Sequence, residues 1–326
     1  MSGRYLALFA AAAVVLLGPV QAAGQTSAAA ESGTASRTPW GDPDLQGTWT
    51  NTTRTPLERP THLGATEVYT EEQVSELNEQ AARNVDRPPP PGETGAYNSF
   101  WMENGERSRR TSLVVDPPDG RVPYTPRERE RADAFAAAIN ADGAADTWTD
   151  RNLYERCITR GLPGTMMPGF YNHNYHILQA PGYVVIYVEM IHDARIVPLD
   201  GRAHVPASIR QWLGSSRGRW EGDTLVVETT NFTDAVHDRG LTVFGGGRDG
   251  RLVERFTRVD ADTIDYEFTF DDSTVFTRPW TAAIPMTRME GPLFEYACHE
   301  GNYGLENILA GARAEEQAAA AAGGAR

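Results

Sequence analysis

Four side chains in the middle of the chain have the types and spacing to do chemistry: Asn174, His176, Tyr187 and Glu189. A two-residue turn at Pro181-Gly182 predicts a hairpin that pairs Ile177 with Ile186, His176 with Tyr187 and Asn174 with Glu189. Side chains alternate across a strand, so Val184, Ile186, Val188 and Met190 share one face. The amide, imidazole, phenol and carboxylate share the other. A carboxylate enclosed by apolar walls serves as an acid or a base. His176 lies diagonal to Glu189, about 7 to 8 Å away, within reach of a hydrogen bond or a water bridge. Glu189 and His176 are therefore the candidate catalytic pair, with Asn174 and Tyr187 as candidate ligand contacts. Arg195 continues the Glu189 face through Ile191 and Asp193. It either pairs with Glu189 or grips a substrate carboxylate.

Other constellations carry less. His173-x-x-His176 puts its two imidazoles on opposite faces of a strand, and no His spacing matches a zinc signature, so no metal site and no cofactor are assigned. Gly214-Ser-Ser-Arg-Gly218 has the spacing of a hydrolase elbow, but a strand follows where the elbow needs a helix. Gly245-Gly-Gly247 is followed by neither a Lys nor a helix, which excludes a phosphate loop. All 30 basic residues are Arg, so Schiff-base and lysine-base chemistry is excluded. Cys157 and Cys298 form an even pair, expected as a disulfide whose long loop contributes on the order of 4 kcal/mol. That bridge would set His299 beside Arg156 or Arg160 and add Arg156 and His299 to the candidate ligand contacts.

The context of these residues is an exported chain. Arg4, an apolar run from Tyr5 to Val20 and the small-x-small sequence Val20-Gln21-Ala22 read as a cleaved signal peptide over residues 1–22. No Cys follows the cleavage point, which excludes a lipoprotein. No later run approaches the roughly 18 to 20 apolar residues of a spanning helix. Net charge is −14, and loss of Arg4 with the leader takes it to −15, against nucleic acid and anionic membranes as partners. A periplasmic or secreted location is expected.

The elements that must position the candidate residues read as mainly β. After a leader of Ala, Ser, Thr and Gly over 23–39, one domain is expected from 40 to 316, with a flexible tail at 317–326. Helices are expected over Thr70–Arg83, from Pro126 to about Asn140, and over Glu306–Gln317. Strands are expected over Asp44–Thr50, flanking Asp116–Gly120 as a hairpin, through the central hairpin to Leu199, over Trp220–Thr230, Leu252–Val259, Thr263–Phe270 and Thr274–Trp280, and last over Phe294–Cys298. No helix separates successive strands from Tyr175 onward, so the sheet is antiparallel, and a meander of about eight or more strands closes most readily as a barrel or a sandwich, of which the barrel is the expectation here. Gly47-x-Trp49 resembles the opening of lipocalin-type barrels, where the Trp plugs the floor. Arg110–Arg121, Arg219–Val227, Thr277–Trp280 and Tyr296–Tyr303 together resemble an uncharacterised family of exported proteins of environmental bacteria. That resemblance runs from about Trp40 to Glu316 and brings no activity with it. Three functions fit a lipocalin-like barrel with two or three peripheral helices. One is a binding module for a small, partly apolar molecule oriented by Arg195 and Glu189. Another is a cofactor-free hydratase, lyase or isomerase using Glu189 and His176. The third is a structural, envelope-associated protein.

Overall fold

The computed structural model describes residues 36–84, 100, 102, 103, 105–140, 150–169, 171–235 and 247–323, within one unit spanning Ala35–Arg326. The expected signal segment, the leader up to residue 35 and Gly245 lie outside the described residues. Order starts before Trp40, because Arg37 bridges Pro43 and Thr38 is buried.

In chain order the elements are β1 (Gly47–Thr50), α1 (Glu71–Asn84), β2 (Val114–Asp116), α2 (Pro126–Asn140), β3 (Asn174–Ala180), β4 (Tyr183–Val188), β5 (Ala194–Pro198), β6 (Ser215–Glu221), β7 (Thr224–Thr230), β8 (Arg251–Arg258), β9 (Thr263–Asp271), β10 (Trp280–Ala283), β11 (Met286–Arg288) and α3 (Tyr303–Gly323). Local chemistry explains the ends. Thr70 and Gln73 cap α1 reciprocally, each side chain bonding the other's backbone N–H at 3.2 and 2.9 Å. Thr125 Oγ1 accepts from the Glu128 N–H ahead of Pro126. Gly182 and Gly222 turn the β3–β4 and β6–β7 hairpins with φ of 81° and 62°. The terminal helix runs past the expected end at Gln317 to Gly323, because its Ala run is the best of helix formers.

The strands follow the order β5-β4-β3-β1-β11-β9-β8-β7-β6, and every ladder among the described residues is antiparallel. The long β9 is shared: its first residues pair with β11 and its last with β10, which also carries β2. The two ends of this order, β5 and β6, lie side by side and nearly close a barrel. Gly218 makes the approach possible: a Cβ there would stand 2.8 Å from Val197 and 2.6 Å from Leu199.

The inner face is packed. Trp49, Tyr175, Ile177, Ile186, Phe256, Tyr266, Phe268, Phe270 and Trp280 are at most 1 % exposed. Phe268 meets Trp280 edge-on at 5.2 Å, and Phe256 tilts against Tyr266 at 4.8 Å. Trp49, expected at the floor, donates its indole N–H to the Leu45 carbonyl and lies under the guanidinium groups of Arg258 and Arg288. At the opposite end residues 150–169 fold inward with Leu162, Met166 and Met167 buried. The disulfide Cys157–Cys298 joins this segment to the chain before α3.

Some expected strands differ. Asp116–Gly120 does turn, but its flanks do not pair with each other. β2 joins β10, and Tyr124 bridges Phe276. Thr274–Trp280 turns instead of extending, held by Asp272, which accepts from Thr274 and Gly247. Phe294–Cys298 forms no strand; its backbone is spent on side chains of the barrel.

One charged pair crosses the interior. Arg195 of β5 is bidentate to Glu254 of β8, and Tyr266 donates to Glu254 Oε1 at 3.0 Å. Both charged side chains are almost fully enclosed. Removing one partner leaves an uncompensated buried charge. We predict that Glu254→Leu lowers the unfolding free energy by about 3 to 5 kcal/mol and that Arg195→Met with Glu254→Leu restores most of it. Denaturant titration reads both, and a loss under about 1 kcal/mol in the single variant would contradict an enclosed pair.

Candidate functional site

The central hairpin adopts the expected register, with His176 opposite Tyr187 and Ile177 opposite Ile186. Its faces are the reverse of the arrangement a pocket inside the barrel requires. Val184, Ile186 and Val188 point into the barrel, while His176 and Tyr187 lie half-buried on the outside. His176 spends Nδ1 on Thr48 Oγ1 at 3.0 Å, in place of the expected approach to Glu189. The polar row is therefore an outer face, and the catalytic pairing of Glu189 with His176 does not form.

Arg195 also departs from expectation. The chain between β4 and β5 makes a short helical turn in which Ile191 and His192 take left-handed φ of 61° and 49°. That turn breaks the alternation that would have carried the Glu189 face on to Arg195. Arg195 instead sits opposite Ile186 and shares its inward direction. Its partner is Glu254, not Glu189, and at 3 % exposure it is no ligand contact.

Asn174 and Glu189 do come together. Asn174 Nδ2 donates to Glu189 Oε2 at 2.7 Å and to Glu103 Oε1 at 2.9 Å. An amide that faces two carboxylates must present its NH2, which fixes its orientation. Glu189 Oε1 accepts from the Phe294 N–H at 3.0 Å, so both of its oxygens are engaged. Glu103 Oε1 also accepts from the Asn172 N–H at 2.8 Å, and Oε2 from Thr52 Oγ1 at 3.1 Å. One buried Asn thus ties two segments that run over the barrel, one through Glu103 and one through Phe294, to the start of β3.

The first of these segments encloses a cleft of about 810 Å³ against the outer wall. The wall side is Thr50 of β1, Asn174 of β3 and Thr287 of β11, with Pro285 and Met289; the cover is Glu103 and residues 105–110. The cover is pinned closely. A Cβ on Gly105 would lie 2.5 Å from the Thr52 backbone, the Arg54 N–H donates to the Glu106 carbonyl at 3.1 Å, and the Ser108 N–H donates to Thr55 Oγ1 at 2.9 Å.

A second polar cluster lies where residues 150–169 close the barrel end. Arg160 lies 2.7 Å from His173 Nε2, and burial together with that cation holds the imidazole down to about 3. Asp193 accepts from Thr159 Oγ1 at 3.2 Å, and burial pushes its carboxyl up to about 6. The Tyr175 hydroxyl is bonded by Asn51 Nδ2 at 2.9 Å, and burial pushes its pKa up, away from any working range. Arg156 is half-buried beside the disulfide, and His299 is exposed. A shallower hollow near the bridge is bordered by Tyr154, Tyr171 and Tyr296.

The architecture defines a nearly closed antiparallel β-barrel with an outer cleft under a pinned strap. No family model matches the chain, and no curated protein and no solved structure matches it. No group of three or more His, Cys, Asp or Glu among the described residues is placed to hold a metal ion. No helix among them is long and apolar enough to cross a membrane.

Asp193 and His173 oppose each other as pH changes. Asp193 binds its proton more tightly folded than unfolded, so its contribution to stability falls as pH rises from about 4 to about 6. His173 binds its proton less tightly folded, so its contribution grows as pH rises from about 3 to its ordinary 6.5. We predict that Asp193→Asn leaves a stability that climbs steadily between pH 4 and 6. Thermal melts across that range check it, and an unchanged pH profile would count against a buried Asp193.

Proposed function

We propose that this is an exported barrel protein that binds a small, partly apolar molecule in the cleft outside its wall. The observation that carries the reading is the cleft itself. Its volume of about 810 Å³ falls within the roughly 300 to 1,000 Å³ usual for small-molecule sites. Its lining joins Leu113, Pro285 and Met289 to the hydroxyls of Thr50 and Thr52 and the amide of Asn174. Apolar walls with a few placed polar groups are what such sites use for affinity and orientation. The rigid barrel behind and the hydrogen-bonded cover in front keep the space preformed, which lowers the ordering cost of binding.

In this reading Asn174 holds the cover to the wall, Glu189 positions Asn174 and does not act as a base, and the ligand meets the hydroxyls of Thr50 and Thr52. Export rests on the leader, and we expect the mature protein to begin at Ala23, as N-terminal sequencing of native material would show.

Native mass spectrometry of protein purified from its own host should find a stoichiometric small molecule. Thr287→Trp, which fills the cleft from the exposed outer face of β11, should abolish that adduct without lowering the melting temperature by more than a few degrees. Retention of the full adduct in this variant would move the ligand elsewhere.

A further inference from the structure

The charges around the cleft say what kind of molecule it takes. On this acidic protein many arginines sit against carboxylates: Arg37 against Asp223, Arg248 against Asp234, Arg255 against Glu221 and Arg278 against Asp116. Three arginines of the cover line the cleft and are placed differently. Arg107 has no carboxylate partner among the described residues, and its guanidinium stands over the Tyr69 ring at 5.9 Å. Arg110 reaches one acceptor, the Ala283 carbonyl, at a long 3.5 Å. Arg109 faces Glu71 at 3.9 Å, with both side chains mostly in solvent, where such a pair contributes little.

The cleft also holds two acids. Glu103 has its oxygens occupied by Asn174, Asn172 and Thr52, so it forms no ion pair with the arginines, though its charge offsets one of their three. Glu106 is exposed and opposes one positive charge. The balance leaves guanidinium forks, with N–H donors unspent, beside an apolar floor of Leu113, Pro285 and Met289. A guanidinium fork is shaped for a carboxylate or a phosphate.

We infer that the cleft binds an amphipathic organic anion, its apolar body against the barrel wall and its carboxylate or phosphate head between Arg107 and Arg110. This deepens the proposed function and rests on the cleft being the ligand site.

Isothermal titration of the full mature chain with three probes of one chain length, decanoate, decyl phosphate and decanol, tests it. At least one anion should bind about tenfold or more tightly than decanol, and the better of the two identifies the head group. Anion affinity should fall as salt is raised, since the arginines are partly exposed. Arg107→Gln with Arg110→Gln should weaken the anion by about tenfold or more and leave decanol unchanged. Decanol binding as tightly as both anions, or a salt-independent affinity, would overturn the anion assignment while the cleft stood as a ligand site. Binding of none of the three would overturn both readings. The salt dependence is measured on the unsubstituted protein, so the outcome does not hang on the folding of a variant.

Discussion

A barrel strand has two faces, and here the inner one is filled from floor to roof. Trp49 and its arginine cover close one end, residues 150–169 close the other, and aromatic rings occupy the space between. Among the described residues, packing of this kind gives the interior over to side chains. It also sets where chemistry can be placed, because any polar residue at an outward position must work against the exterior of the wall. The hydrophobic interior of the hairpin and its polar exterior are one decision, made by the two-residue repeat of an extended chain.

Within that constraint the described residues keep one fully enclosed ionic contact inside. Arg195 and Glu254 span strands that are not neighbours, and Tyr266 adds a third hydrogen bond. Paired in this way the charges are tolerable; alone neither would be. The outer surface handles its polar groups by a different route. Asn174 gives its amide hydrogens to Glu103 of a distant segment and to Glu189 of its own hairpin, which in turn holds the Phe294 backbone, so loops outside the named strands are held against the barrel by side chains. The cleft lies between the wall and one of those loops, which these side-chain bonds and the contacts of residues 105–108 hold in place.

Much of this was legible in the sequence, and the misses have physical causes. The hairpin register follows from Pro181-Gly182, and β8 and β9 follow from alternation, since local turns and period-two patterns are local properties. The bridge Cys157–Cys298 follows from there being two cysteines in a chain that reads as exported. Which face of the hairpin turns inward is not local, and the four polar residues at outer positions read equally well as the lining of an interior. Alternation alone puts Arg195 on the wrong face, because the helical turn at Ile191 and His192 changes it and nothing in the residue types there signals left-handed backbone. Glu254 had a visible signal: it occupies an inward position between Leu252 and Phe256, where an acid demands a buried cation. Glu103 had none, since the segment around it has no periodicity and its partners lie 51 to 71 residues away.

The near-closure at Gly218 has a consequence of its own. Around most of the wall each strand is laced to two neighbours, and separating any pair means breaking a row of backbone bonds together. Between β5 and β6 no such lacing exists among the described residues, only side-chain contact across a glycine. Amides along that line lack the shelter their counterparts have, and they trade their protons with the medium at a lower free energy. The barrel is thus a cylinder with a slit down one side.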